Sequence, residues 1–334
     1  MKRLFFVVLA AALLWSGYWF VGAYGAKAGF SAWFSARQND GWQAEYSDLA
    51  LRGFPNRFDA TFSDLALADP QSGLAWEMPF FQILALSYKP NHVIAIWPNS
   101  QRISTPNDKY EVTSTDLRAS LVLDAGTSLP LNRANLASGA MALGNLTSGE
   151  TATLEALHVA VQHTGPADNT YQFAVAADGF APSIPMRITI DPANLLPKRL
   201  TALKADLVIG FDRPWDRFAI ENARPQPTEM HIKLAEAHWG DLQLQLAGRV
   251  TLDTDGRPSG KITIKARNWR DILKMATAAG VLPKNLAGPL EQGLSMLANM
   301  AGNPKTLDIP LDFANGRMSL GPIPLGAAPI FRLR

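Results

Sequence analysis

Leu203-Lys204-Ala205-Asp206-Leu207-Val208-Ile209-Gly210-Phe211 sets an apolar residue at every odd position, with Lys204, Asp206 and Gly210 in between. Side chains of an extended strand alternate between the two faces of a sheet, so this period of two marks a strand with one buried face. Working upstream, the texture recurs in Tyr171, Phe173, Val175, in Leu157, Val159, Val161, in Leu117, Ala119, Leu121, Leu123 and in Phe58, Ala60, Phe62. Downstream it returns in Met230, Ile232, Leu234, in Leu242, Leu244, Leu246 and in Ile262, Ile264, Ala266. Turn-type residues punctuate these runs at Gly53-Phe54-Pro55-Asn56, Pro98-Asn99, Pro106-Asn107-Asp108 and Asp255-Gly256. The chain is expected to be mostly β, an α+β protein built on a long antiparallel meander with one apolar and one polar face.

One segment departs from this period. Asn268 is a candidate N-cap, and Trp269, Ile272, Leu273 and Ala276 follow at helical spacing, with Gly280 placed to stop the helix. Past Pro283, Leu286, Leu290, Leu294 and Leu297 trace a second helical stripe that Gly302 and Pro304 close. A helical pair near residues 269–301 is therefore expected to pack on the sheet or plug one end of it.

The N-terminus has a different texture again. After Lys2-Arg3 the 23 residues from Leu4 to Ala26 carry no formal charge. A run of about 20 apolar residues crosses a bilayer core as a helix, and basic residues on its short side favour keeping that side in the cytoplasm. Leu4, Phe5, Leu13, Trp15, Trp19 and Phe20 are the expected anchor residues. The rival is a cleaved signal peptide, with Leu4 to Leu14 as its apolar region and Gly22-Ala23-Tyr24-Gly25-Ala26 as its small-residue site. Trp15, Tyr18, Trp19, Phe20 and Tyr24 weigh toward an uncleaved anchor, because such rings suit a headgroup belt and crowd a cleavage site. Either way the remainder is exported.

The expected organisation is an anchor over residues 1–27, a juxtamembrane helix over 28–42 and an elongated β-rich domain over 43–334. Phe30, Trp33 and Phe34 would line one side of the juxtamembrane helix, with Trp33 and Trp42 near the membrane surface. A seam is expected near 192–200, where Asp191-Pro192-Ala193-Asn194-Leu195-Leu196-Pro197 interrupts two strand series. The expected location is the inner membrane, single-pass, with the N-terminus cytoplasmic and the C-terminal domain periplasmic.

Composition narrows the functional classes. The 31 basic and 29 acidic residues include Lys2, Arg3 and Lys27 at the N-terminus, so the body beyond is nearly neutral. Phosphate neutralisation needs a clustered basic excess, so nucleic acid is not an expected partner. The chain has no cysteine, which excludes disulfides, thiolate zinc ligands and thiol catalysis.

Candidate chemistry is sparse. His92, His158, His163, His231 and His238 include no pair spaced to aim two rings at one ion, and they read as solvated polar-face residues. Asp253-Thr254-Asp255-Gly256 opens like a calcium loop, but Arg257 and Ile264 stand where that loop needs oxygen ligands, so a hairpin turn is expected. Asp212 and Asp216 sit among Arg213 and Arg217 and read as turn ion pairs. No Gly-x-Ser-x-Gly elbow or phosphate-binding glycine loop occurs. No catalytic, cofactor or metal residue is expected. What remains is surface: an apolar sheet face that could hold phospholipid or another envelope lipid, and two exposed loops. Gly53, Phe54, Pro55 and Arg57 form one, Gly321, Pro322 and Pro324 the other, as candidate contacts for other envelope proteins.

Three patches taken together resemble a known family: Gly53-Phe54-Pro55-Asn56-Arg57-Phe58, then Arg224-Pro225-Gln226 leading to His238-Trp239-Gly240, then Gly316 to Gly326. Their order and spacing are similar to domain-of-unknown-function family 2125, a bacterial family best known from alphaproteobacteria. The resemblance implies a membrane-anchored envelope protein and carries over no catalytic residue. The glycine-punctuated strands from Leu246 to Gly260 also look like exported parts of AsmA-type proteins, a group associated with outer-membrane assembly and lipid traffic. Together these imply a non-enzymatic envelope role in lipid handling or assembly, with scaffolding of an envelope complex as the alternative.

Overall fold

The computed structural model describes residues 1–165, 169–192, 194–221, 224–280, 282, 284–300, 302–320 and 323–333. The first elements are α1 (Lys2–Asn39), β1 (Gln43–Glu45), β2 (Asp48–Arg52), β3 (Arg57–Asp69), β4 (Leu74–Leu86), β5 (Lys89–Ile96), β6 (Ser100–Ser104), β7 (Lys109–Ser114), β8 (Arg118–Leu123), β9 (Leu131–Ser138) and β10 (Met141–Asn145). Then come β11 (Thr151–Leu154), β12 (Ala156–His163), β13 (Thr170–Asp178), α2 (Ile184–Ile190), β14 (Ala202–Phe211), α3 (Arg217–Glu221), β15 (Pro227–Trp239), β16 (Leu242–Leu252) and β17 (Pro258–Arg267). The chain closes with α4 (Trp269–Ala278), α5 (Lys284–Met300), β18 (Thr306–Ala314), β19 (Arg317–Leu320) and β20 (Ile323–Ala327). The protein is thus mostly β, with every registered strand pair antiparallel. Two compact units emerge from the contacts: Met1–Ala125 with Leu136–Gly149, and Gly126–Asn135 with Glu150–Arg334.

The first unit is a branched sheet capped by a helix. Its spine is the β3–β4 hairpin, with Phe62 opposite Phe81 and Leu67 opposite Trp76. Asp64 and Pro79 are left out of the pairing while the register runs on unshifted, and Asp64 sits at φ 48°; beyond this irregularity Leu65 and Met78 join the same cluster as Phe62. β1 and β2 both pair with β3, while β4 divides its partners between β5 and β6. This unit is therefore not the simple meander expected from the period of two. On the apolar face Phe34 of α1 packs among Ala44, Leu49, Ala60, Phe62, Leu65 and Met78. Its ring meets Tyr46 edge-on at 4.7 Å, and Phe30 meets Phe62 at 5.2 Å. The juxtamembrane helix expected over 28–42 thus has one side packed on the sheet. Phe30, Phe34 and Trp42 belong to a protein core, and Trp33 alone of that set faces outward.

The second unit is the meander. β12 through β20 run antiparallel, each to its neighbour. Leu207 aligns with Phe173 on one side and Ile232 on the other, so the odd positions of β14 join a common apolar face. Leu234 does not, contrary to its place in the alternating series. The register skips Lys233, which turns Leu234 to the polar side opposite Asp206 and leaves it exposed. α4 and α5 cover one end of the apolar face, where Trp269, Leu294 and Ala298 pack with Ala266 and Leu307.

Asn268 stands at the head of α4 at φ 57° but does not cap it, because its amide donates to the Asp241 carbonyl at 2.7 Å. Of the α5 stripe, Leu290 and Leu294 reach this core, while the Leu286 and Leu297 side chains, like Pro283 itself, lie outside what is described. Two short helices, α2 and α3, arise where no helix was read.

The segment singled out as a seam lies within this second unit. There Asp191, 2% exposed, accepts backbone N–H groups of Leu195 and Leu196 at 2.9 and 2.8 Å. Leu196 packs with Trp239, whose indole donates to the Pro197 carbonyl at 2.7 Å.

Candidate membrane-docking site

α1 is one helix long and apolar enough to cross a membrane, and only 6% of its most apolar window is buried. It divides into two stretches by what touches it. Lys2 to Leu14 is exposed throughout, including the anchor residues Leu4, Phe5 and Leu13. From Trp15 onward one face lies against the first unit, with Trp19, Gly22, Ala26, Phe30 and Phe34 following at intervals of three and four.

Two hairpin tips meet this stripe. The β2–β3 tip carries Gly53, Phe54, Pro55 and Arg57, and the β4–β5 tip carries Ser87 and Tyr88. Trp15 Nε1 donates to the Pro55 carbonyl at 3.1 Å, Tyr18 Oη to the Ser87 carbonyl at 2.6 Å, and Trp19 Nε1 to the Arg57 carbonyl at 2.8 Å. Phe20 stacks on Phe54 at 5.7 Å, and Trp19 meets Phe54 edge-on at 5.4 Å. The tips are also tied to each other, since Ser87 N donates to the Asn56 carbonyl at 2.9 Å.

Glycine is required at two places here. Gly53 has φ 103°, and a side chain there would meet Arg57 at 2.7 Å. Gly22 lets the helix approach the ring of Phe58, which a Cβ would meet at 2.6 Å.

The sequence singled out Trp15, Trp19, Phe20, Gly53, Phe54, Pro55 and Arg57, but as two separate features, an anchor and a loop. The structure brings them together. Tyr18, Gly22, Phe58, Ser87 and Tyr88 complete the site and were missed as members of it. The available signal was the placement of three ring donors, Trp15, Tyr18 and Trp19, beside Gly22 on one helix face. Polar ring atoms at that depth call for acceptors.

Of the second loop, Gly321 and Pro322 lie outside the described residues. Pro324 is exposed in β20 and lines a cleft of about 780 Å³ with Arg257 and Arg317, in the second unit.

Several other titratable groups are engaged locally. On the first unit a pocket of about 400 Å³ is lined by Asp64, Glu77, Arg102 and Glu111. Arg102 pairs with Glu77 at 3.3 Å, and Ser47 and Ser100 donate to Asp64 and Glu111. Asp212 pairs with Arg213 at 3.3 Å, and Asp253 accepts the backbone of its own hairpin turn. His92 contacts Ser120 at 2.9 Å, and His163 stacks on Tyr171 at 4.8 Å on the apolar side of β12. His163 is therefore no solvated polar-face residue. Among the described residues no three His, Asp or Glu side chains gather as a metal site.

Neither a curated protein nor a solved structure matches the chain. A profile of one bacterial family, described as an uncharacterized protein conserved in bacteria (DUF2125), matches residues 19–329. That match opens at Trp19, the buried indole of α1, and takes in the packed stretch of the helix with the sheets that follow. The chain belongs to the DUF2125 family.

Proposed function

We propose that the protein is a single-span, uncleaved component of the cell envelope, non-enzymatic, with its β units on the exported side of the inner membrane. The observation that carries this is the set of three hydrogen bonds from Trp15, Tyr18 and Trp19 to the hairpin carbonyls. Cleavage at Gly22–Ala26 would remove these donors and uncover Phe54 and Phe58, so the helix functions as part of the folded unit. Lys2-Arg3 ahead of the apolar run supports a cytoplasmic N-terminus.

Within that setting the apolar face of β12–β18 handles lipid, as the likeness to AsmA-type strands suggests. Val159, Val161, Phe173, Leu207 and Ile209 share this face and are only half-buried, away from the end that α4 and α5 cover. A photo-crosslinking residue at Leu207 in the full chain, in native membranes, tests this. Lipid adducts at Leu207 and none at Lys204, on the opposite face, support it. Adducts at neither contradict it.

A second reading, scaffolding of an envelope complex, is favoured by α2. Ile184, Met186, Ile188 and Ile190 are all exposed there. A protein adduct from Ile188 would select that reading.

A further inference from the structure

Taking the single-span role of α1 as its premise, we propose that both hairpin tips beside the helix, Phe54-Pro55 and Leu86–Tyr88, are immersed in the far leaflet of the bilayer. The first unit would then be embedded at one end, more than merely tethered.

Length requires it. Between the charged pair Lys2-Arg3 and the first tip contact at Trp15 lie the 11 apolar-run residues Leu4–Leu14, which as a helix reach about 17 Å. A hydrocarbon core is about 30 Å thick. Crossing it carries the helix in to about Tyr24, some 8–14 Å beyond the level of Trp19 and Trp15, where the tips are fastened.

The chemistry of the tips suits that depth. Phe54 and Tyr88 are 52% and 56% exposed, and Leu86, Phe20 and Val21 extend the same apolar surface. Backbone polar groups in lipid must be satisfied internally. Here the carbonyls of Pro55, Arg57 and Ser87 accept from the helix, the Asn56 carbonyl accepts from Ser87, and the Gly53 carbonyl accepts from Asn56 and Arg57. Pro55 and Pro90 have no N–H to satisfy. The charged residues nearby have a place as well: Arg57 pairs with Asp59 at 2.9 Å, and the exposed stem of Lys89 can snorkel to lipid phosphates.

The chain has no cysteine, so single-cysteine variants of the full-length protein can be labelled with an environment-sensitive nitrobenzoxadiazole dye. The variants are Phe54→Cys, Tyr88→Cys, Leu9→Cys within the span and Asn107→Cys at the far end of the first unit. They are reconstituted in phosphatidylethanolamine–phosphatidylglycerol vesicles containing doxyl-labelled lipid. The expected result is blue-shifted, quenched emission at Leu9, Phe54 and Tyr88 and neither effect at Asn107. Quenching at Leu9 without quenching at either tip overturns this inference and leaves the span standing. No quenching at Leu9 overturns the span and the inference together. Blue-shifted tips that lipid does not quench would mean that protein covers them, which also overturns it.

Discussion

The indole of Trp19 donates to the backbone carbonyl of Arg57 at 2.8 Å, and it does so from the middle of the most apolar helix in the chain. The same ring is 6% exposed, enclosed by Phe54 and Phe58. A residue that looks like part of a lipid-facing anchor is therefore a core residue of the first unit. Trp19→Ala should destabilise that unit by about 3–5 kcal/mol, and Trp19→Phe, which only strands the carbonyl, by about 1–3 kcal/mol. Thermal unfolding in detergent micelles would give the order wild type, Phe, Ala. Equal melting of all three would mean that the helix is not seated on the hairpins.

A pair of glycines separates packing from helix propensity. Gly22 faces Phe58, whereas nothing lies within 4 Å of a Cβ at Gly25. Gly25→Leu should be neutral or stabilising by up to about 1 kcal/mol through propensity. Gly22→Leu should cost about 1–3 kcal/mol through overpacking. The same melting assay, with protease sensitivity of the 53–57 loop, distinguishes them.

In the second unit, Asp191→Ala would leave the Leu195 and Leu196 N–H groups without their acceptor, at a cost on the order of 1–3 kcal/mol. Asp191→Asn keeps one acceptor oxygen and should cost less. Hydrogen exchange of the 191–200 backbone should rise in that order. Unchanged exchange in the alanine variant would show that the turn is held by Trp239 alone.

Acid should loosen one turn in particular. The Ser72 hydroxyl, and after it the Gln71 N–H, hold the Asp69 carboxyl below its ordinary value of 3.8. A depressed carboxylate stabilises above its unfolded value and loses that contribution as pH falls through the folded one. Protection of the Asp69–Gly73 turn should therefore be flat at neutral and mildly acidic pH and fall only below about 3.8. Loss at a higher pH would point to another group.

Much of the architecture was legible because period-two alternation reports which face a residue takes. It succeeded wherever the register was regular, as between β12 and β13, where Leu157, Val159 and Val161 face Ala177, Val175 and Phe173. It failed at Leu234, since a single skipped residue, Lys233, inverts every face beyond it and leaves no mark in the pattern. The branching of β4 between β5 and β6 was equally silent, because alternation says nothing about which strand is the neighbour. At the docking site Trp15, Tyr18 and Trp19 were noticed for the right chemistry, amphipathic rings at an apolar boundary. Their partners are carbonyls of Pro55, Arg57 and Ser87, and a backbone acceptor has no signature in the sequence.

The proposed role requires that the apolar helix remain covalently part of the folded protein. The most direct test is the intact mass of the protein purified from cell membranes of its native type of host. The expected result is a mass of 36.3 kDa, with the apolar helix retained, recovered with the membrane fraction. A shortened chain beginning between Gly22 and Lys27 and recovered in the soluble fraction would contradict it.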